Sequence, residues 1–440
     1  MSDQTRFRIG VDGFNLALAR GTGIATYART LTRALSLMGH PVDMVYGLDL
    51  PSTSDAVVKE VSFFDGIEQS TPKRPKPFSK QWIHDRQLDL RAPSVQEIFL
   101  TGRVDGRQFA DRLPVFDRLF NADGIFRRAA RHFRRTGRMT SIKMADPPTI
   151  MHWTYPLPVK IEGAANIYTI HDVVPLRLPY TTLDDKSFYY RLINKICMEA
   201  EAICTVSDSS RKDILSFFPS FEKKIKNTYQ SFSFSENTLK RSKEDCIAEI
   251  QADFGLSPLG YFLFFGSLEP KKNIGRLIEA FLASGCQRKL VLVGARAWKS
   301  ERELRYLERG ISAGRIVVID YLPEGTLVAL LRLARALLFP SLSEGFGLPV
   351  LEAMTLGVPA LISGEGGLPE VGGDAALVTD AYDVDAIASA IRKLDYDDDL
   401  CNNLITAGRI QAEKFDMASY CQRLEELYYT VCNSTVCQKA

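Results

Sequence analysis

The sequence predicts an α/β protein built from two domains of alternating strand and helix. Three observations predict it. Short apolar runs alternate with segments of helical periodicity at both ends of the chain. A polar stretch rich in Ser, Asn, Lys and Glu, between about Phe232 and Ser257, divides that rhythm in two. The 440 residues, 45% of them hydrophobic, are enough to bury two domain-sized cores. The expected domains are 1–250, with a basic and irregular insertion at about 50–145, then 251–415, then a final helix within 416–440.

Composition excludes several function classes. No run of about 18 apolar residues occurs, and the start Met-Ser-Asp-Gln-Thr lacks the charged and apolar regions of a signal peptide, so a cytoplasmic protein is expected. The eight cysteines are scattered, without Cys-x-x-Cys or zinc spacing, which implies reduced structural thiols. Asn433-Ser434-Thr435 is then a chance sequon. The net charge of +2 hides a basic first half and a mildly acidic second half, which favours an anionic partner for the first.

In chain order, Phe7 to Asp12 is expected as the first strand and Gly23 to Met38 as a helix, with Gly21, Thr22 and Gly23 forming the glycine turn between them. Val42 to Tyr46 is the second strand. Thr71 to Pro77 is proline-rich loop. From Phe126 to Lys143, arginines 127, 128, 131, 134, 135 and 138 alternate with apolar residues. That spacing makes a cationic helix, suited either to an anionic leaflet or to a solvated surface. Nucleic acid is not expected there, because the aromatics do not repeat as stacking platforms.

Strands follow at Thr149 to Trp153 and Asn166 to Ile170, the second ending directly at His171-Asp172. Strand ends are where open α/β sheets place ligand-binding residues, and histidine can bond a hydroxyl or handle a proton. His171 is therefore a candidate, with Asp172 as its orienter or a helix cap and His152 as a second histidine facing the cleft. Ala202 to Val206 runs into a serine cluster, 207 and 209, read as capping.

The second half opens with a strand at Tyr261 to Phe265, a loop Gly266 to Asn273 and a helix that Asn273 would cap. Lys271 and Lys272 in that loop could meet a diphosphate. Strands at Lys289 to Gly294 and Arg315 to Asp320 flank a helix near Glu301 to Ile311. Ala336 to Phe339 leads into Ser343-Glu-Gly-Phe-Gly-Leu-Pro-Val-Leu-Glu352, a strand, a glycine-rich turn and a helix start with Pro349 in the first turn and Gly357 as its stop. Backbone amides and the positive end of a helix dipole meet there, which favours a diphosphate. The acceptor-only carboxylates of Glu344 and Glu352 suit sugar hydroxyls. Asp383-x-Asp385 and Asp397-x-Asp399 lie beyond this region and suit helix ends better than a metal, so no metal ligand is nominated.

The Glu344 to Glu352 motif resembles the paired-glutamate signature of retaining family 4 glycosyltransferases, and the agreement extends from about Gly266 to Ala376 and into the first half. The resemblance implies the GT-B fold of two Rossmann-like domains, the first on the acceptor side and the second binding a nucleotide sugar, with the last helix crossing back. It implies that Glu352 holds the ribose and Glu344 the transferred sugar. Lys272 with Gly266 and the backbone of Gly345, Phe346, Gly347 and Leu348 would hold the diphosphate, and the loop with Tyr321 and Leu322 would meet the nucleobase. His171 would stand in the reaction centre, and Gly21 to Gly23 would line the cleft. One departure is Ser267, where many relatives carry arginine; Lys271 would supply the second cation. No cofactor or obligatory metal is implied.

The expected reaction is hexose transfer with retention to a lipid-linked or surface-polysaccharide precursor, with mannose from GDP-mannose as the first expected donor and UDP-glucose or UDP-galactose next. A nucleotide-sugar epimerase of this fold and a non-catalytic, membrane-associated nucleotide-sugar-binding protein are the alternatives. The expected location is cytoplasmic, with peripheral contact to an anionic membrane through the Arg127 to Arg138 region.

Overall fold

A computed structural model describes residues 6–18, 23–51, 53, 55–69, 93, 95–106, 109, 113–295 and 306–437. Gly21, Thr22, the Thr71 to Pro77 segment and residues 301–305 of the expected helix lie outside the described residues.

The first domain holds β1 (Ile9–Asp12), β2 (Val42–Tyr46), β3 (Gln96–Glu97) and β4 (Arg118–Asn121), then β5 (Thr140–Ile142), β6 (Ile150–Trp153), β7 (Val159–Ile161), β8 (Ala165–Thr169), β9 (Ala202–Thr205) and β10 (Ile225–Asn227). Eight of these form one sheet in the order β10-β9-β8-β6-β1-β2-β4-β3, parallel except for β3 on β4, while β5 and β7 pair separately. The second domain holds β11 (Tyr261–Phe265), β12 (Lys289–Val293), β13 (Ile316–Ile319), β14 (Leu337–Phe339), β15 (Ala360–Ser363) and β16 (Leu377–Thr379), in the wholly parallel order β13-β12-β11-β14-β15-β16. Central strands such as β1, β2, β8 and β11 are buried at every position. Helices cover both faces of such sheets, which is why these strands read as unbroken apolar runs rather than alternations.

Each sheet reverses its winding once, between β1 and β6 in the first and between β11 and β14 in the second. Loops diverge at such points and leave a crevice at the carboxyl ends of the strands. The loops after β6 and β8 and those after β11 and β14 carry the site.

Three expectations need correction. The second domain begins earlier than residue 251: the helix Lys243–Phe254 is capped by Ser242, buries Cys246 and Ile250, and packs on the helix Glu324–Arg332. Thr326 Oγ1 donates to Glu249 at 2.6 Å and the Ser235 amide to Glu324 at 3.1 Å. The polar composition there belongs to the solvent face of a helix rather than to a linker. The 50–145 insertion is also more regular than its composition implies, since it supplies the helix Ala56–Gln69 and the sheet strand β4, with Phe63 and Leu119 in the core.

The arginine-rich helix runs only over Ile125–Thr136, ended by Gly137 at a left-handed φ of 68°, so Arg138 and Lys143 lie beyond it. Its apolar stripe, Phe126, Ala129 and Phe133, is buried in the second core cluster, and Arg128 is buried with it. Arg127 is paired with Asp49 at 2.8 Å, and the Arg134 guanidinium lies 4.6 Å from the Phe188 ring. The stripe therefore serves the fold and has no apolar face left for a leaflet; Arg134, Arg135 and Arg138 remain exposed.

The last helix, Met417–Cys437, returns to the first domain, where the Tyr428 hydroxyl meets His152 Nδ1 at 2.7 Å and Arg423 Nε donates to Thr228 O at 2.9 Å. No helix among the described residues is long and apolar enough to cross a membrane.

Candidate active site

The site is assembled from loops at the two reversal points. After β11, the chain turns through Gly266 to Asn273; after β14, it turns through Pro340 to Gly347. Asn273 ties the loops together. It adopts a left-handed φ of 61°, and its buried amide donates to Pro340 O at 3.0 Å and Ala381 O at 2.6 Å. Asn273 stands at the head of the helix Ile274–Ser284, but its side chain makes no capping bond, a correction to its expected role. The Leu342 amide also donates to Lys271 O at 2.8 Å.

This bracing brings Lys272 Nζ to 2.6 Å from Glu344 Oε1, with both side chains about a tenth exposed. The Lys272 ammonium also lies 4.9 Å from the Phe339 ring centre, whose negative face favours a cation. Lys271 is half-buried, which works against its charge, but Asp172, Glu344 and Glu269 outweigh that effect and push its pKa up. It stays an ammonium. Ser267 is exposed beside the lysines.

At the head of the helix Leu348–Thr355, Gly347 has φ 113°, and the buried amides of Gly345, Phe346 and Gly347 donate to no acceptor among the described residues. Buried amides without acceptors are costly and are normally paired, and free amides at a helix N-terminus favour an anion. The Phe346 side chain does not face it. It packs in a triad with Phe415 and Tyr229, at centroid separations of 5.3 and 6.5 Å, so only its backbone is available to a ligand. Gly366 and Gly367 serve chain geometry: a Cβ on Gly366 would lie 2.4 Å from Glu344 O, and the Gly367 amide donates to that oxygen at 2.8 Å.

Glu352, one turn into the helix, is half-buried, and its carboxyl makes no hydrogen bond within the described protein. Burial, and then the carboxylate of Glu324, lift its pKa to about 8. Tyr321 is 71% exposed and Leu322 partly buried, both in the loop between β13 and the helix Glu324–Arg332.

The first domain supplies the opposite wall. His171 Nε2 donates to Thr154 O at 2.9 Å, leaving Nδ1 without a protein donor. Burial lowers the imidazole pKa, against the opposing pull of the Thr154 carbonyl and Asp172, so it is neutral near pH 7. The Tyr27 ring meets it edge-on at 4.8 Å. Asp172 accepts the Val174 amide at 3.1 Å and so holds the following turn, while its charge faces Lys271. Gly23 begins the helix Gly23–Leu37 with open space about its Cα. His152 is not in the cleft. It is fully buried between Tyr428 and Thr169 Oγ1 (2.8 Å), and burial drives its pKa to about 3.

The two walls touch through contacts that motif reasoning did not predict, and through Ser210 and Glu370, which it did not nominate. Gly345 presses on the His171 backbone so closely that a Cβ would sit 2.4 Å from His171 O. Ser210 Oγ lies 2.7 Å from His171 O and 3.2 Å from Gly345 O, and Ser207 caps its helix as expected. Glu370, from the second domain, accepts the amides of Asp208 at 2.8 Å and Ser209 at 2.5 Å, at the N-terminus of the helix Asp208–Phe217 in the first. Only the pairing of that carboxylate with an unsatisfied helix end across 162 residues could have revealed it. Asp383 and Asp397 cap helices, accepting the Ala386 amide at 3.0 Å and the Leu400 amide at 2.8 Å.

Residues 249–411, which include both second-domain loops, match the glycosyl transferases group 1 family. Escherichia coli O-antigen chain mannosyltransferase B is 35% identical over 264 residues, 59% of this chain and 68% of that protein. The chain belongs to the group 1 glycosyl transferases. The E. coli serotype-specific mannosyltransferase WbdA is 29% identical to this glycosyltransferase over 275 residues, 61% of the chain but 34% of WbdA. The GT-B fold is shared with solved structures, among them Anabaena HepE in complex with UDP and glucose (TM-score 0.63, 14% identity, 97% of this chain and 100% of that one). WaaG, a glycosyltransferase of lipopolysaccharide biosynthesis, superimposes with TM-score 0.58 at 13% identity over 95% of this chain and 99% of WaaG.

Proposed function

We propose that this glycosyltransferase moves a hexose from a nucleoside diphosphate sugar to a hydroxyl of a lipid-linked or surface-polysaccharide precursor, retaining the anomeric configuration and needing no metal. The observation that carries the reading is the cluster of acceptor-less amides at Gly345 to Gly347 beside the Lys272–Glu344 pair, pressed against His171. A diphosphate would take the amides and draw Lys272 from Glu344, whose carboxylate would then accept sugar hydroxyls. Glu352 would accept the ribose diol. Lys271 and Lys272 offset the charge that builds on the leaving phosphate, the work a divalent cation does elsewhere.

As the bond from the anomeric carbon to the phosphate oxygen breaks, the acceptor oxygen bonds that carbon on the same face. Its proton passes to the departing phosphate oxygen. His171 Nδ1, held neutral, would accept a hydroxyl of the transferred sugar. Mannose from GDP-mannose is the favoured donor, because relatives named as mannosyltransferases are similar to this chain over 59% and 61% of its length. Peripheral contact with an anionic leaflet would rest on Arg134, Arg135 and Arg138 alone.

Incubation with a panel of GDP- and UDP-sugars, with and without membrane extract, tests the reading by nucleoside diphosphate release. Release from GDP-mannose that depends on extract and leaves the anomer unchanged in the product is expected. An altered free sugar, or binding without turnover, would overturn it.

A further inference from the structure

Asp12 ends β1 at the point where the first sheet reverses its winding, and its side chain is fully buried. A buried carboxylate is costly unless its oxygens are bonded. Oδ2 accepts the amide of Thr154, the first residue past β6, and Oδ1 accepts the Phe14 amide at 3.1 Å. The carbonyl of the same Thr154 accepts Nε2–H of His171 at 2.9 Å. The amide and the carbonyl belong to successive peptide units that meet at the Thr154 Cα, so anchoring the first fixes the pivot about which the second turns. Phe14, held by the other oxygen, stacks on Tyr155 at 5.9 Å, which secures the far side of the Thr154 unit.

We infer that Asp12 is a positioning residue for His171: by fixing the Thr154 backbone, it aims the carbonyl that holds the imidazole in its Nε2–H form and leaves Nδ1 as an acceptor. A carbonyl oxygen can only accept, so this bond dictates the tautomer. Burial raises the Asp12 pKa to about 6, against the lowering effect of the Thr154 and Phe14 bonds, so the carboxylate is charged at neutral pH and its acceptor set is complete.

The inference rests on His171 acting in the reaction, and the experiment separates the two claims. Imidazole nitrogen NMR on uniformly labelled protein resolves the five histidines, with the His171 signals assigned by their loss in His171→Asn. Wild-type protein should show an Nε2-protonated His171 with a bare Nδ1. Asp12→Asn places an amide donor against an amide donor, so His171 should become a mixture of tautomers. Turnover should fall about tenfold with the donor KM within about twofold, while the His152 signals, on the same strand as the control for folding, stay put. An Nδ1-protonated His171 in the wild type, a reading that needs no variant, would overturn the inference. So would an unchanged tautomer in folded Asp12→Asn. A tautomer shift with unaltered turnover would support the positioning and remove His171 from the reaction.

Discussion

Lys272 Nζ lies 2.6 Å from Glu344 Oε1, the two coming from loops on either side of the reversal between β11 and β14. The pair is largely shielded from water, so each charge keeps the other from being stranded. The loops are rigid because Asn273 and Lys271 tie them at three backbone points, Pro340, Ala381 and Leu342.

Lys272→Ala should lower nucleoside diphosphate release at least about 100-fold, the scale seen when one preorganised charge donor is removed from a leaving group. Circular dichroism should show a folded protein. Release within about threefold of wild type would remove Lys272 from the reaction.

Glu352 should make donor binding depend on pH. Its folded pKa of about 8 means that it is mostly protonated at pH 7, whereas the ribose diol needs the carboxylate. Donor affinity should therefore tighten as pH rises from 6 toward 8 and level off above, by about tenfold per unit at the steepest. Calorimetric titration of nucleoside diphosphate across that range checks it, and Glu352→Gln should bind weakly with a flat profile. The stability sign is opposite. A carboxyl raised on folding favours the folded state below its unfolded pKa and loses that contribution as pH rises toward 8, so Glu352→Gln should melt above wild type at pH 9 and equal to it at pH 4.

Closure of the two domains should depend on Gly345 and Glu370. Gly345→Ala drives a methyl group into His171 O, and Glu370→Gln weakens a charge-assisted cap worth about 1 kcal/mol, or about fivefold in the closed population. Small-angle scattering should show a larger radius for both variants with unchanged secondary structure. Equal radii would mean that the contacts do not hold the domains.

Replacing Arg134, Arg135 and Arg138 by Gln should abolish binding to anionic vesicles, at about 1 kcal/mol per arginine. Binding should also vanish in high salt, because Phe126 and Phe133 are committed to the core and cannot anchor it. Vesicle binding that survives salt would place the contact elsewhere.

Much of the fold was readable because parallel strands buried on both faces write themselves as apolar runs: Val42–Tyr46 and Tyr261–Phe265 have the expected bounds. Helix ends were readable for the same local reason, as at Asp383 and Ser207, whose side chains meet amides two or three residues away. The Lys243–Phe254 helix was missed because its buried face is narrow, and the arginine helix was misplaced because periodicity cannot say whether an apolar stripe meets a core or a membrane.

The sequence by itself determined the strand–turn–helix at Glu344 to Glu352 and the lysine loop, since glycine, proline and charge act over a few residues. Only the tertiary structure decided that Lys272 would meet Glu344, that His152 would be a buried strut while His171 faced the second domain, and that Asp12, Ser210 and Glu370 would hold the walls in place. Those partners are 39 to 276 residues apart, and a hydrogen bond is specified by a direction in space that no spacing along the chain encodes.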